Sequence, residues 1–163
     1  MKIIEFFLQE EKTDIQIVQG NPKNPDDIYD AIKMIQKLMR NSDRKTLSVQ
    51  EWKKKITQQI AKSKKTLLLF AKDNDIIVGI CLTYIDIESD KKTYYSELDK
   101  IFIEPLYRKY GIGRRFVVMT AKWVKSNGVK VLIVSTWGDN DKAIVFYKAV
   151  GFKPLMHQFI MRL

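Results

Sequence analysis

With 163 residues, 45% of them hydrophobic and 29% charged, the chain has the composition of one globular domain able to bury its own core. No stretch approaches the roughly 20 apolar residues of a membrane span, and the single cysteine, Cys81, excludes an intramolecular disulfide and suits a reducing cytoplasm. Lysine and arginine outnumber aspartate and glutamate 29 to 19, and the net charge of +10 favours anionic partners. The basic residues are scattered along helix faces, however, and no recognition helix, zinc finger or RNP pattern is visible, so nucleic acid is disfavoured.

Residues 1–11 hold a short apolar run broken by acids, without the longer apolar core and cleavage site of a secretion signal. Loose alternation from Thr13 to Gln19 predicts a first strand. After the turn Gly20–Pro25, Asn24 can cap a helix, Pro25 suits its first position, and Asp26 and Asp27 favour its positive end. Ile28, Ala31, Ile32, Ile35, Leu38 and Met39 follow helical spacing until Asn41-Ser42-Asp43. Ser48-Val49-Gln50-Glu51 reads as a capping box opening a second helix with Trp52, Ile56 and Ile60 on one face.

Thr66 to Lys72 reads as a buried strand, Asp73-Asn74 as a hairpin turn, and Asp75 to Ile87 as a long strand with Gly79 marking a bulge or close contact. Cys81 lies within that strand; a buried structural thiol is favoured over a covalent acyl carrier, because no histidine lies near it in sequence. Glu88 to Lys92 is a polar turn and Thr93 to Ile103 a strand. Phe116, Met119, Thr120, Trp123 and Val124 mark one face of a helix that Asn127-Gly128 stops. Val129 to Thr136 reads as a buried strand parallel to the one before that helix, Asn140 to Val150 as a short helix, and Leu155 to Leu163 as a final strand. His157, the only histidine, has no partner nearby in sequence and reads as structural; with one cysteine and one histidine, no metal site is expected.

The stretch around which these elements are organised runs from Ile101 to Phe116. Pro105 cannot donate to a ladder and should end its strand. Arg108-x-x-Gly111-x-Gly113 follows, and then a helix begins. A strand, a glycine loop and a helix start gather unpartnered amides and the positive end of a helix dipole around an anion. A P-loop is excluded by spacing, and a dinucleotide fingerprint would need glycine where Phe116 stands. The pattern Arg/Gln-x-x-Gly-x-Gly/Ala fits at Arg108, Gly111 and Gly113. About thirty residues on, Asn140-x-x-Ala143-x-x-Phe146-Tyr147-x-x-x-Gly151-Phe152 supplies a second motif in matching order. Together they resemble the GNAT N-acetyltransferase superfamily, well over residues 66 to 163 and by element order alone before that.

The resemblance implies an α/β (α+β) fold: a mixed, mostly antiparallel sheet of six to seven strands with about four helices, splayed between the strand before Pro105 and strand 129–136, in one domain over residues 1–163. It implies acetyl-CoA as co-substrate and a primary amine as acceptor, joined in a ternary complex. Backbone groups of Ile101, Phe102 and Ile103 would pair with the pantetheine arm, with the Ile103 amide as oxyanion donor. Amides of Lys109, Tyr110, Gly111, Ile112, Gly113 and Arg114 would hold the pyrophosphate next to Arg108. Arg114, Arg115 and Lys148 could add charge or simply face solvent. Tyr147 would protonate the leaving thiolate, and Asn140 would bond the coenzyme, cap its helix or do both.

A primary amine with a pKa near ~10.4 must lose a proton before it attacks. Glu97 stands where some family members carry a general base, and simple alternation puts it on one face with Asp99 and Ile101. Asp99 or a water relay could substitute for it, and a salt-bridged strand residue is the plain alternative. Among acceptors, the reading leans towards a small amine or polyamine; a peptide N-terminus and an aminoglycoside stay open. So do a homodimer and a non-catalytic module that binds coenzyme A or nucleic acid.

Overall fold

The computed structural model describes residues 14–42, 44–87, 93–156 and 161. Local signals set the helices. Asn24 accepts the Asp26 amide ahead of α1 (Pro25–Asn41), and Ser48 and Glu51 form a reciprocal capping box on α2 (Val49–Lys62). The strands are β1 (Gln16–Gly20), before α1, and, after α2, β2 (Lys65–Asp73), β3 (Ile76–Ile87) and β4 (Tyr94–Ile103). Next are α3 (Ile112–Ser126), β5 (Leu132–Val134) and α4 (Asp141–Ala149).

The described strands form one five-stranded sheet in sequence order, β1 to β4 antiparallel and β5 parallel to β4. Its two faces build separate apolar layers. On one, Ile32 and Ile35 of α1 and Trp52 and Ile56 of α2 cover Leu68, Phe70, Ile80, Leu82, Tyr84 and Phe102. On the other, Ile112, Phe116 and Val117 of α3 cover Leu67, Leu69, Cys81 and Leu98, and Phe146 of α4 packs against them. Burial on both faces explains why β2 and β3 read as nearly continuous apolar runs.

The structure departs from the sequence reading in identifiable places. The sheet has five described strands, not six to seven. The final strand expected over 155–163 falls largely outside the described residues, and Leu155 and Met156 are in no strand. The parallel strand expected over 129–136 shrinks to Leu132–Val134. At its start, the Val129 amide is spent on the Val124 carbonyl at the end of α3. On α3, Val117 is buried where Met119 was expected, and Met119 is exposed. The bulge anticipated at Gly79 is present as a register shift opposite Ala71 and Lys72.

Phe116 is fully buried beneath the start of α3. Phe116→Ala is expected to cost about 3–5 kcal/mol of stability, read as a lowered denaturant midpoint at unchanged slope.

Candidate active site

β4 and β5 pair through Ser96–Leu132, Glu97–Ile133 and Leu98–Val134, and then part. β4 continues to Ile103, still paired with β3 on its other edge. At the parting point the β3–β4 register slips: Leu82 faces Lys100, Thr83 faces Leu98, and Asp99 is the extra residue. This bulge changes which amides face outwards. Before it, the Ser96 amide donates to the Val131 carbonyl at 3.0 Å, so even-numbered amides face β5. Beyond it, the Glu104 amide donates to the Val78 carbonyl at 2.9 Å, so even-numbered amides face β3 and those of Ile101 and Ile103 face the gap. Phe102 lies between them with its side chain in the α1–α2 core.

Past Ile103 the chain makes a 3-10 turn at Pro105–Tyr107 and enters the glycine loop. Lys109 (φ 71°) and Gly111 (φ 70°) both adopt left-handed backbone, with exposed Tyr110 between them. Such conformations curl successive amides into a concavity that suits an anion. Gly111 caps α3, leaving the amides of Ile112 and Gly113 in its first turn without an i−4 acceptor. A Cβ on Gly113 would stand 2.9 Å from the Phe146 ring and 3.3 Å from Ile103 Cδ1, so glycine here lets α3, α4 and β4 meet.

The basic side chains divide. Arg108 Nε donates to the Ile103 carbonyl at 3.0 Å, bracing the loop against the strand end. Arg115 donates to the Ile15 carbonyl at 2.9 Å and ties α3 to the approach to β1. Arg114 and Lys148 are exposed.

Tyr147 projects from α4, half-buried, with its ring against Phe146 (centroids 5.4 Å apart) and edge-on to Phe152 (5.7 Å). Burial, with a further contribution from neighbouring Cys81, pushes its hydroxyl up to about 12, so it is protonated at neutral pH. Asn140 caps α4, its Oδ1 accepting the Ala143 amide at 3.2 Å, which leaves its amide hydrogens as donors. Cys81 is fully buried beside Thr120 and Thr83, and burial pushes its thiol up to about 11. It is a packed thiol, not a nucleophile.

The bulge overturns the expected alternation at Glu97. Glu97 is the cross-strand partner of Tyr84, in the α1–α2 layer, whereas Ile101 packs on the α3 layer. Glu97 is half-buried, and its carboxylate makes no hydrogen bond or ion pair among the described residues. Burial first, and then the Asp99 charge, raises its pKa. Asp99 is itself paired with Lys100 at 2.5 Å.

Two long-range contacts had no signal in the sequence. Arg44, from the α1–α2 connection, lies 4.1 Å over the Trp137 ring and pairs with Asp139 at 3.1 Å. Lys37 of α1 pairs with Glu104 at the end of β4. Trp137 and Asp139 belong to the connection that leads from β5 into α4, so the Arg44 contact spans the two sides of the parted strands. His157 lies outside the described residues. No group of three histidine, cysteine or acidic side chains is placed to hold a metal among the described residues.

The fold and the parted strands define an α/β domain with an open strand edge beside an amide-lined helix start. Residues 29–152 match the family described as "Acetyltransferase (GNAT) family", and the chain belongs to that family. An uncharacterized N-acetyltransferase of Methanocaldococcus jannaschii is 24% identical over 129 residues, 78% of this chain and 57% of that protein; the chain thus spans little more than half of that relative's length. The fold is similar to AAC(6')-Iy in complex with the bisubstrate analogue CoA-S-monomethyl-acetylneamine (TM-score 0.73, 14% identity, 93% of this chain and 99% of that one). It is also similar to an aminoglycoside 6'-N-acetyltransferase of Acinetobacter haemolyticus (TM-score 0.70, 16% identity, 91% and 97% covered). A transcriptional regulator of Bacillus halodurans shares it equally (TM-score 0.70, 18% identity, 91% and 99% covered).

A side chain at Gly113 meets the Phe146 ring, not open solvent. Gly113→Val is therefore expected to weaken coenzyme A binding by about tenfold or more through displacement of α3 from α4. Calorimetric titration checks this, and Val118→Ala on the exposed side of α3 serves as the unaffected control.

Proposed function

We propose that the protein is an N-acetyltransferase that moves the acetyl group of acetyl-CoA to a primary amine by direct attack in a ternary complex. The observation that carries this reading is the open edge of β4, where the Ile101 and Ile103 amides face a gap that ends at the amide-lined start of α3. Acetyl-CoA fits this arrangement as an extended amide-bearing arm leading to a pyrophosphate. When bound it supplies the thioester.

The residues divide the remaining work. Amides of Lys109 to Arg114 hold the pyrophosphate, and Ile101 and Ile103 pair with the arm as a neighbouring strand would. The Ile103 amide donates to the carbonyl oxygen as negative charge develops there. Glu97 takes the proton of the ammonium acceptor through water, and the freed amine attacks the carbonyl carbon. As the C–N bond forms and the C–S bond breaks, Tyr147 gives its proton to the departing sulfur, and the second proton lost by the nitrogen restores the Tyr147 hydroxyl. The raised hydroxyl pKa of about 12 keeps that proton in place until sulfur needs it. Arg108 acts one step back, holding the Ile103 carbonyl and so orienting the strand end.

The acceptor is a small amine or a polyamine. A second reading, an aminoglycoside, is supported by the names of two structural neighbours. A non-catalytic module that binds coenzyme A alone has nothing for a protonated Tyr147 and a half-buried Glu97 to do.

Calorimetry with acetyl-CoA, followed by a mass-spectrometric acceptor screen, tests the proposal; absence of acetyl-CoA binding overturns it. Tyr147→Phe is expected to lower kcat by about 10²–10⁴-fold with coenzyme affinity little changed. A base must be deprotonated to act, and the Glu97 pKa is raised by burial. Activity should therefore rise with pH through a range above that of an ordinary carboxylate. Glu97→Gln should remove that limb from the kcat/KM profile. The alkaline limb, due to loss of the Tyr147 proton, should not set in until pH approaches about 12.

A further inference from the structure

The face of the sheet beneath α2 carries three carboxylates in a chain whose net charge is +10. Asp86 follows Tyr84 by two residues on β3, so both side chains lie on one face. Glu97 is the cross-strand partner of Tyr84, and Asp99 is the bulged residue where the gap opens. Asp86 is oriented by α2: Gln59 Nε2 donates to its Oδ2 at 3.1 Å, and Ser63 Oγ lies 3.5 Å from the same oxygen. Lys100 pairs with Asp99, and no cation pairs with Asp86 or Glu97 among the described residues.

Tyr84 lies in their midst. It is 2% exposed, yet its hydroxyl has no hydrogen-bond partner among the described residues. Its pKa is raised by burial and then by the charges of Asp99, Asp86 and Glu97, which puts the hydroxyl within the field of all three. No buried side-chain oxygen lacks a partner among the described residues, so the ring of Tyr84 is enclosed while its hydroxyl oxygen reaches the surface. An open hydroxyl among carboxylates suits a donor that also carries positive charge. The three acids are not gathered as a metal-holding group, so their charge is spread along the strands. Asp86 pairs with Tyr95, four positions before Asp99. At about 3.3 Å per residue, the row runs for roughly 13 Å from the gap.

We infer that Asp86, Tyr84 and Glu97 form an acceptor track for a linear polyamine. Its reacting nitrogen enters the gap beyond Asp99, and a second ammonium group is held by Asp86 with Tyr84 accepting a hydrogen bond on the way. The inference rests on the proposed acetyl transfer and names the acceptor's chemical class. Asp86 and Tyr84 are positioning residues that touch the amine away from the reacting bond. The geometry favours an extended chain over a rigid multi-ring amine, because the anionic groups lie in line along two paired strands.

The test measures thiol release from acetyl-CoA with butylamine, 1,4-diaminobutane, spermidine and kanamycin as acceptors. Spermidine is expected to exceed butylamine in kcat/KM by about tenfold or more. Asp86→Asn should collapse that ratio through a higher KM for spermidine, Asp86→Glu should restore part of it, and Tyr84→Phe should reduce it. In a separate thermal melt without acetyl-CoA, spermidine should raise the Tm of the wild type more than that of Asp86→Asn. Equal use of butylamine and spermidine, better use of kanamycin, or an Asp86→Asn variant with an unchanged ratio overturns the track while leaving acetyl transfer standing. Failure of the wild type to bind acetyl-CoA overturns the transferase reading itself.

Discussion

Everything at this site depends on two adjacent strands that stop pairing. Had β5 followed β4 to Ile103, the Ile101 and Ile103 amides would have been consumed by the ladder. Parallel strands pair with evenly spaced bonds and no natural stopping point, so something must end the pairing. Two features do. The bulge at Asp99 switches the parity of the outward-facing amides, and β5 supplies only Leu132–Val134 as partner. The open amides are kept in place from behind, because β4 stays paired with β3 along its length and Phe102 anchors it in the α1–α2 core.

The same bulge divides the chemistry between the two faces of the sheet. Tyr147 and the start of α3, with its amides open, lie on the α3–α4 side. Glu97, Tyr84 and Asp86 lie on the α1–α2 side, and the gap connects the two. Each face has its own dielectric logic. Burial keeps the Tyr147 proton bound and makes Glu97 a stronger base than an exposed carboxylate. In the proposed reaction a basic exterior would draw the anionic coenzyme, and the acidic groups of Asp86 and Glu97 would offset that charge for a cationic acceptor. Arg44, stacked on Trp137 and paired with Asp139, links the two sides at the mouth of the gap.

Much of this was legible in the residues because the signals are local. Asn24, the Ser48–Glu51 box and Asn127-Gly128 bound helices through backbone groups within a few positions, and all three hold. The Arg108-x-x-Gly111-x-Gly113 loop was readable for the same reason: a left-handed turn and an uncapped helix start need particular residues at fixed offsets. Glu97 was misplaced because alternation assumes an unbroken pleat, and the bulge arises from how β3 and β4 fit together over a long range. The length of β5 was overread because Val129 to Thr136 is rich in β-branched residues, whereas its pairing depends on β4 and on the end of α3. Arg44 and Tyr84 gave no signal, since their meaning lies in partners far away along the chain.

The central claim is that particular amides are left open for a ligand, and amide nuclear magnetic resonance reads those atoms directly. Titration of labelled protein with coenzyme A should shift the resonances of Ile101, Ile103, Ile112 and Gly113 and slow their hydrogen exchange. Phe102, whose amide faces β3, should be protected from the start. If Ile103 and Gly113 are already protected in the free protein and unmoved by coenzyme A, the parted strands are not a coenzyme site and the account is wrong.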